Sequence, residues 1–415
     1  MLLAKLNHEE NIILQKAVSL ATQLGVNIYL VGGTFRDVLL NQTGFDLDLV
    51  VEGNALNFAK ILNLDLLGVI KIHENFLSAK ISFTNLSLDV HTARKEVYQY
   101  YGALPKIEQG SIIDDLYRRD FTVNAIALDL KNNTIIDPFG GQKDLNNRLL
   151  RTLHKDSFKE DPTRIIRAAR YASRLEFDLE SITKSKLLEV VSYIDFVSAS
   201  RLKNEYIKII NEDKHYKILQ LLNEWGVLPY FLPGIYGESL NITNEKHINL
   251  KGSNNERISV WLVNLMVLYW QGAINIKDIH KVRFNFTNKE LSCIEWLVEN
   301  YYFLKHLQKN DFKASLLELH QLLYNTPRET DFFLLWLLRG KSNFYFQDIK
   351  NARQKIKLPL NGRDLLKLGI KPGPVMGKII TDLKRQVLVG KINSKDDAVT
   401  WLKRMMNDYV NQLDS

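Results

Sequence analysis

The stretch from Tyr29 to Val51, YLVGGTFRDVLLNQTGFDLDLVV, constrains this chain more tightly than any other part of it. It reads as strand, glycine turn, helix, loop and second strand. An apolar run from Ile28 to Val31 enters Gly32 and Gly33, and helix-forming residues follow from Arg36 to Leu40. Two glycines after a buried strand let backbone N–H groups approach an anion with no Cβ in the way, and the helix behind them points its positive end at the same place. Arg36, one turn into that helix, is placed to reach back to the anion. In FDLDLVV, alternation sends Asp46 and Asp48 to one face of a strand and Leu47 and Leu49 to the other. Two carboxylates on one face favour a cation. A phosphate cradle followed by such a pair fits a nucleoside triphosphate held beside Mg²⁺, because Mg²⁺ sites combine few carboxylates with substrate phosphates. Each half alone has a plainer reading: a tight connection for the glycines, a solvated strand end or sugar-nucleotide site for the acids. Their order and spacing favour the joint one.

Several later segments supply groups of the right chemistry. Glu9 to Leu24 has helical apolar spacing, with Gly25 as its stop. Leu77 to Phe83 and Leu86 to Val90 read as a hairpin turned at Thr84 and Asn85, and alternation makes Asp89 a third metal-facing carboxylate or, more plainly, an edge-strand acid. Thr92 to Ser111 is polar and aromatic with Gly102, Pro105 and Gly110 as breakers, which predicts a mobile loop beside the site. In YRRDFTVNAIAL, from Tyr117 to Leu128, Asp120 and Asn124 would share a face if helical and could recognise ribose hydroxyls, while Arg119 neutralises triphosphate charge. As structure alone, Asp120 is a helix cap and the arginines a surface pair.

Phe158 to Phe177, FKEDPTRIIRAARYASRLEF, starts a helix at Pro162 and repeats Asp161, Arg164, Arg167 and Arg170 as a slowly turning polar stripe, with Ile165, Ala168 and Ala172 toward the core. A carboxylate and a guanidinium one turn apart can imitate a Watson-Crick partner, Arg164 donating to a ring nitrogen and Asp161 accepting from an exocyclic amine. Cytosine and adenine offer that pair. Uracil and guanine would leave a buried group unpaired, at roughly 1 to 3 kcal/mol. The plainer reading makes Asp161 the N-cap and the arginines a solvated face.

These strings resemble the DNA polymerase β-type nucleotidyltransferase superfamily, in the form carried by class II CCA-adding enzymes and bacterial poly(A) polymerases. The opening stretch is similar to the family's LVGGxVRDxLLxxxxxDxDxV, with Thr34 and Phe35 at the usual small residue and valine. RRDFTVNAIA matches RRDFTxNAxA, EDPTR matches the nucleotide-selecting EDxxR, and NGRDLLKLGIKPGPVMG resembles the tail pattern NGxDLxxLGxxPGPxxG. The resemblance implies template-independent addition of CMP and AMP from CTP and ATP to the 3′ end of tRNA, releasing pyrophosphate. It implies two Mg²⁺ ions on Asp46 and Asp48 with Asp89 as the catalytic and metal residues. It also implies nucleotide binding by Gly32, Gly33, Arg36, Arg119, Asp120, Asn124, Asp161, Arg164, Arg167 and Arg170. The segment after Thr92 is similar to the flexible loop associated with the switch from C to A addition. Enzymes adding only CC or only A, and poly(A) polymerases, would share these motifs, and a noncatalytic RNA-binding module or a DxD glycosyltransferase stands as the reading from another class.

The fold expected is α+β: a small mixed-sheet nucleotidyltransferase head over 1–150, then an all-helical neck over 151–215 carrying the nucleotide-selecting helix, a helical body over 216–345, and a basic RNA-binding tail over 346–415. At 415 residues the chain exceeds one ordinary core. Its one cysteine, Cys293, excludes an internal disulfide and a cysteine-rich zinc site and suits a reducing cytoplasm. No apolar run approaches the roughly 18 residues of a membrane span, and no protein partner is predicted. The net charge of +8 is unevenly spread, because Lys350 to Arg404 holds 14 Lys and Arg against 4 Asp, a footprint for a polyanion such as tRNA.

Overall fold

A computed structural model of the chain describes residues 6–42, 46–233, 258–271, 283–309, 316–324, 326–339, 349, 352, 357–388 and 390–411. The chain divides into two compact units, Met1–Glu238 with Lys281–Asn285, and Ser239–His280 with Phe286–Ser415.

The first unit opens with helix α1 (His8–Leu24). A reciprocal box starts it, in which Asn7 accepts from the Glu10 N–H and Glu10 from the Asn7 N–H, and Gly25 in the left-handed region ends it. Strand β1 (Asn27–Val31) leads into α2 (Gly32–Leu39), and β2 (Leu47–Glu52) and α3 (Ala55–Leu66) follow. Next come β3 (Val69–His73), β4 (Ser78–Ser82) and β5 (Ser87–Thr92). The hairpin expected at Thr84 and Asn85 is present as β4–β5, while β3, which the sequence reading left unassigned, adds an edge strand.

The segment expected to be a mobile loop is instead a second hairpin, β6 (Arg94–Val97) paired antiparallel with β7 (Lys106–Gln109). Charged side chains hid its alternation, yet Glu96 is held by Arg94 and Arg118 and fastens the strand to the site. After α4 (Ile112–Tyr117), the residues Thr122–Asn124 form one 3₁₀ turn rather than a helix, followed by β8 (Ala127–Asp129), β9 (Thr134–Ile136) and α5 (Gly141–Asn146). Asp137 accepts from the N–H groups of Gly141 and Gln142 at the start of α5.

The main sheet has seven strands in the order β3-β4-β5-β2-β1-β8-β9. All neighbours are antiparallel except β2 and β5, whose parallel register sets Asp48 opposite Asp89. Leu47 and Leu49 are fully buried on one side of β2, and the side carrying Asp48 is the site side. On that side Tyr29, Val31, Val50, Ala93, Ile112, Leu116, Ala125 and Ala127 make one core under α4 and the 3₁₀ turn.

A two-residue parallel pair, β10 (Leu149–Leu150) with β11 (Asp178–Leu179), interrupts the otherwise helical continuation. That continuation comprises α6 (Ser157–Glu160), α7 (Thr163–Leu175), α8 (Ser181–Glu189), α9 (Ala199–Ile210), α10 (His215–Glu224) and α11 (Leu228–Phe231). The second unit is helical throughout its described residues: α12 (Val260–Gln271), α13 (Asn288–Glu299), α14 (Tyr301–Gln308), α15 (Leu316–Leu323), α16 (Glu329–Leu337), α17 (Gly362–Lys367), α18 (Pro374–Leu388) and α19 (Lys395–Asn411). Its last three helices share a core of Leu360, Leu365, Ile370, Ile379, Leu383, Ile392, Ala398 and Leu402. Among the described residues no helix is long and apolar enough to cross a membrane.

Candidate active site

The glycine turn works through close approach. Gly32 has φ +68°, a region costly for any side chain, and an added Cβ would lie 2.6 Å from Arg119 Nη1 and 3.7 Å from Asp48 Oδ2. The guanidinium laid over this turn is therefore that of Arg119. Its Nη2 donates to Asp115 Oδ2 at 2.8 Å, and Asp115, fully buried, also binds Arg118 through Oδ1 at 2.6 Å. Burial works against that carboxylate, but Arg118 and Arg119 outweigh it and hold its pKa down at about 2. The spacing of Asp115 to Arg118 and Arg119, three and four residues on one face, was a signal in the sequence that the motif reading passed over.

Arg36 departs from expectation. It is buried to 1% exposure, donating from Nη1 to Asn124 Oδ1 at 2.6 Å and from Nε and Nη2 to Asp37 Oδ1 at 2.7 and 2.6 Å. It lies behind Gly33 and lines no part of the cleft described below. Asn124 passes the chain of contacts on, donating to Asp120 Oδ1 at 2.8 Å, while Arg167 Nε donates to Asp120 Oδ2 at 2.9 Å with Nη2 on the same oxygen. Arg36, Asn124, Asp120 and Arg167 thus form one continuous row, buried at its first three members and half-buried at Arg167. Burial would raise the Asp120 pKa, but Arg167 and the Asn124 amide more than offset it and hold the carboxyl well below the usual range.

Asp48, on the sheet, is in the opposite state. Burial pushes Asp48 up to about 6; Arg119 opposes this, and the charges of Asp89 and Asp46 add to it. Its nearest polar neighbour is Thr34 Oγ1 at 3.5 Å. Thr34, where the motif usually has a small residue, donates to the Asp46 carbonyl at 2.6 Å and ties the start of α2 to the strand. Asp46 Oδ1 accepts from Ser87 N and Oγ at 3.0 and 2.8 Å, and Asp89 Oδ2 from Lys80 Nζ at 3.0 Å. With Asp46 and Asp89 turned to these partners, no three His, Cys, Asp or Glu side chains among the described residues converge as a metal-holding group. The donor chemistry nonetheless suits a hard divalent cation. Oxygen ligands are what such an ion takes, and a positive charge beside Asp48 would relieve a carboxylate that burial and its acidic neighbours disfavour.

On α7 the stripe divides. Asp161 Oδ1 accepts from Thr163 N at 3.0 Å, Thr163 Oγ1 at 2.6 Å and Arg201 Nη2 at 2.6 Å. The N-cap of α7 is Pro162 rather than Asp161, which accepts the first helical N–H from one residue earlier, and these contacts leave Oδ2 with no protein partner among the described residues. Arg164 does not pair with Asp161; its Nη1 donates to Ser157 Oγ at 2.7 Å and its Nη2 to the Arg118 carbonyl at 2.7 Å. Arg170 points away from the others and binds Glu205 Oε2 on α9 at 2.7 Å. Three residues fall about 60° short of a full helical circle, so two such steps carry Arg170 about 120° round from Arg164.

A cleft of about 390 Å³ gathers the remaining groups, with Gly33, Asp48, Arg119, Asp120, Asn124, Asp161, Arg164 and Arg167 in its wall. Gly32, Asp46, Asp89, Arg36 and Arg170 are outside that wall. Residues that the sequence reading did not assign to the site join it: His91, Arg94, Glu96, Tyr98, Arg118 and Tyr171. Burial, helped by Arg118, lowers the His91 pKa to about 4, so its ring is neutral near pH 7. Alternation from Asp89 placed His91 on the same face of β5 and could have found it.

Residues 28–151 match the family model of the poly A polymerase head domain, 176–237 that described as "Probable RNA and SrmB- binding site of polymerase A", and 346–402 that of tRNA nucleotidyltransferase domain 2. An A-adding tRNA nucleotidyltransferase of Halalkalibacterium halodurans is 32% identical over 413 residues, covering 95% of this chain and 92% of the relative. A CC-adding tRNA nucleotidyltransferase of the same organism is 25% identical over 403 residues, covering 94% and 98%. A solved apo structure of a CCA-adding enzyme superposes with a TM-score of 0.75 at 26% identity, covering 97% of this chain and 98% of that one.

Proposed function

The chain belongs to the class II tRNA nucleotidyltransferase family of nucleotide-transferring enzymes, and from that premise we propose that it transfers CMP and AMP from CTP and ATP to the 3′ end of tRNA. The observation that carries this reading is the convergence, in one cleft, of Asp48, the Arg119-covered glycine turn, the Asp120–Asn124 pair and the Asp161/Arg164 edge. Arg119 and the uncapped first turn of α2 neutralise the triphosphate. Asp120 and Asn124 face the ribose hydroxyls, and the row behind them, Arg36 included, holds them in place. Asp161 Oδ2 accepts the exocyclic amine of cytosine or adenine, and N–H groups of Arg164 beyond those engaged by Ser157 and Arg118 donate to the ring nitrogen. Asp46, Asp48 and Asp89 would hold Mg²⁺, which when bound supplies charge stabilisation to the attacking oxygen and to departing pyrophosphate. The four-part division into head, neck, body and tail assigns the tRNA backbone to the basic residues after 346.

A second reading, addition of the terminal AMP alone, is favoured by the higher identity to the A-adding relative, 32% against 25% for the CC-adding one. Incubation with tRNAs lacking CCA, CA or only A, with CTP and ATP offered separately, decides between them. Incorporation of both nucleotides supports the broader activity and of AMP alone the narrower one; no incorporation of AMP into tRNA lacking only its terminal A overturns both.

A further inference from the structure

Tyr171, on the cleft side of α7, has four guanidinium carbons around its ring: Arg36 at 5.4 Å from the centroid, Arg167 at 5.8 Å, Arg170 at 5.5 Å and Arg174 at 4.9 Å. Each of the four cations is paired with an acid, Glu212 being shared by Arg170 and Arg174. Arg36 is paired with Asp37, Arg167 with Asp120, Arg170 with Glu205 and Arg174 with Glu212. What the four have in common is the ring. Phe121 meets that ring edge-on at 5.9 Å, and the Tyr171 hydroxyl is 3.4 Å from Arg167 Nη2. The ring is 8% exposed and reaches the cleft wall.

Two of these arginines hold the pair assigned to the ribose: Arg36 binds Asn124 and Arg167 binds Asp120. The other two bind α9 and the residues after it, through Glu205 and Glu212. We propose that Tyr171 is a positioning residue for nucleotide binding, the negative faces of its ring keeping Arg36 and Arg167 aligned so that Asn124 and Asp120 present their ligand-facing groups in register. An aliphatic side chain of similar bulk would fill the space but offer four mutually repelling cations no attraction, and the row would loosen from its middle. The proposal rests on the nucleotidyl-transfer reading for what the row binds.

The test replaces Tyr171 with Phe, with 3,5-difluoro- and 3,4,5-trifluorophenylalanine, and with Leu, each checked by thermal unfolding. Fluorine drains the ring face of charge with little change of shape, so a packing role is insensitive to it. Tyr171→Phe keeps the wild-type KM for ATP, the fluorinated rings raise it stepwise to about tenfold, and KM for tRNA and kcat stay level. A flat KM across the fluorine series, or a rise in Phe as large as in Leu, overturns the proposal. Were Leu not to fold, the near-isosteric rings would carry the result. Should the wild-type protein transfer no AMP, the function reading fails by itself, and calorimetric ATP binding across the same series decides: stepwise weakening supports the role of the ring, uniform affinity overturns it.

Discussion

Two carboxylates, Asp48 and Asp120, line the same cleft and are in opposite electrostatic states. Asp48, on β2, lies beside Asp89 and Asp46 and is pushed up to about 6. Asp120 is more deeply buried, at 5% exposure against a half-buried Asp48, yet is held well below the ordinary range by Arg167 and Asn124. Burial acts in the same direction on both, so the difference lies in what was supplied alongside. The protein has given Asp120 its counter-charge, and Asp120 is part of the rigid frame. Asp48 has been left with like charges near it, and its counter-charge is expected from outside. Sites commonly separate acids in this way, by environment rather than by residue type.

That contrast is broken most directly at Asp48. Asp48→Ala should abolish nucleotide transfer, by 10³-fold or more on the scale of roughly 4 kcal/mol of lost charge stabilisation, while thermal unfolding stays level or rises, since a disfavoured buried charge is removed. Transfer assays with matched melting curves check it; a large loss of stability would place Asp48 in the frame. Asp120→Ala should do the reverse, costing about 3 to 5 kcal/mol of stability because Arg167 is left without its partner. Denaturant unfolding measures this, and a cost under about 1 kcal/mol would mean that Asp120 is not the keystone of the row.

Smaller effects sharpen the contrast. In Asp115 the folded pKa lies near 2, below the ordinary 3.8. A depressed carboxyl stabilises the fold above its unfolded pKa, and that contribution disappears as pH falls from about 4 toward 2; it amounts to about 2 kcal/mol. Acid unfolding of Asp115→Asn should therefore show a weaker pH dependence across that window than the wild-type protein. An identical dependence would show the clasp on Arg118 and Arg119 to be electrostatically idle. At Asp161 the oxygens differ: Oδ1 holds the Thr163 and Arg201 donors, and Oδ2 has no protein partner among the described residues. Asp161→Asn can keep an oxygen on the Thr163 N–H while turning a donor to the base. Selection against UTP and GTP should relax about tenfold or less, with stability falling by roughly 1 kcal/mol from the weakened Arg201 contact. Unchanged selection in a four-nucleotide incorporation assay would reduce Asp161 to a support for the start of α7.

The opening stretch was legible because its logic is local. Gly32 and Gly33 after an apolar run, alternation through Leu47, Asp48 and Leu49, and Pro162 after Asp161 each express a backbone period or a steric limit within a few residues. The β6–β7 hairpin was not legible, because its polar strands are held by Glu96 reaching Arg118, twenty-two residues on. Three-residue spacing placed Arg164, Arg167 and Arg170 on one stripe, and the 60° drift at each step decided that the last would face α9.

The sequence by itself determined the elements of the opening stretch and the α+β head with its helical continuation. Tertiary structure decided the partners. Arg119 rather than Arg36 covers the glycine turn because Asp115 holds it there, and Arg36 is drawn inward by Asn124, eighty-eight residues away. A guanidinium on a long stem reaches acceptors on several sides, and only the assembled packing determines which buried acid or amide is within hydrogen-bonding distance. Hence the elements of the opening stretch could be read along the chain, while the charge state of each carboxylate in the cleft could not.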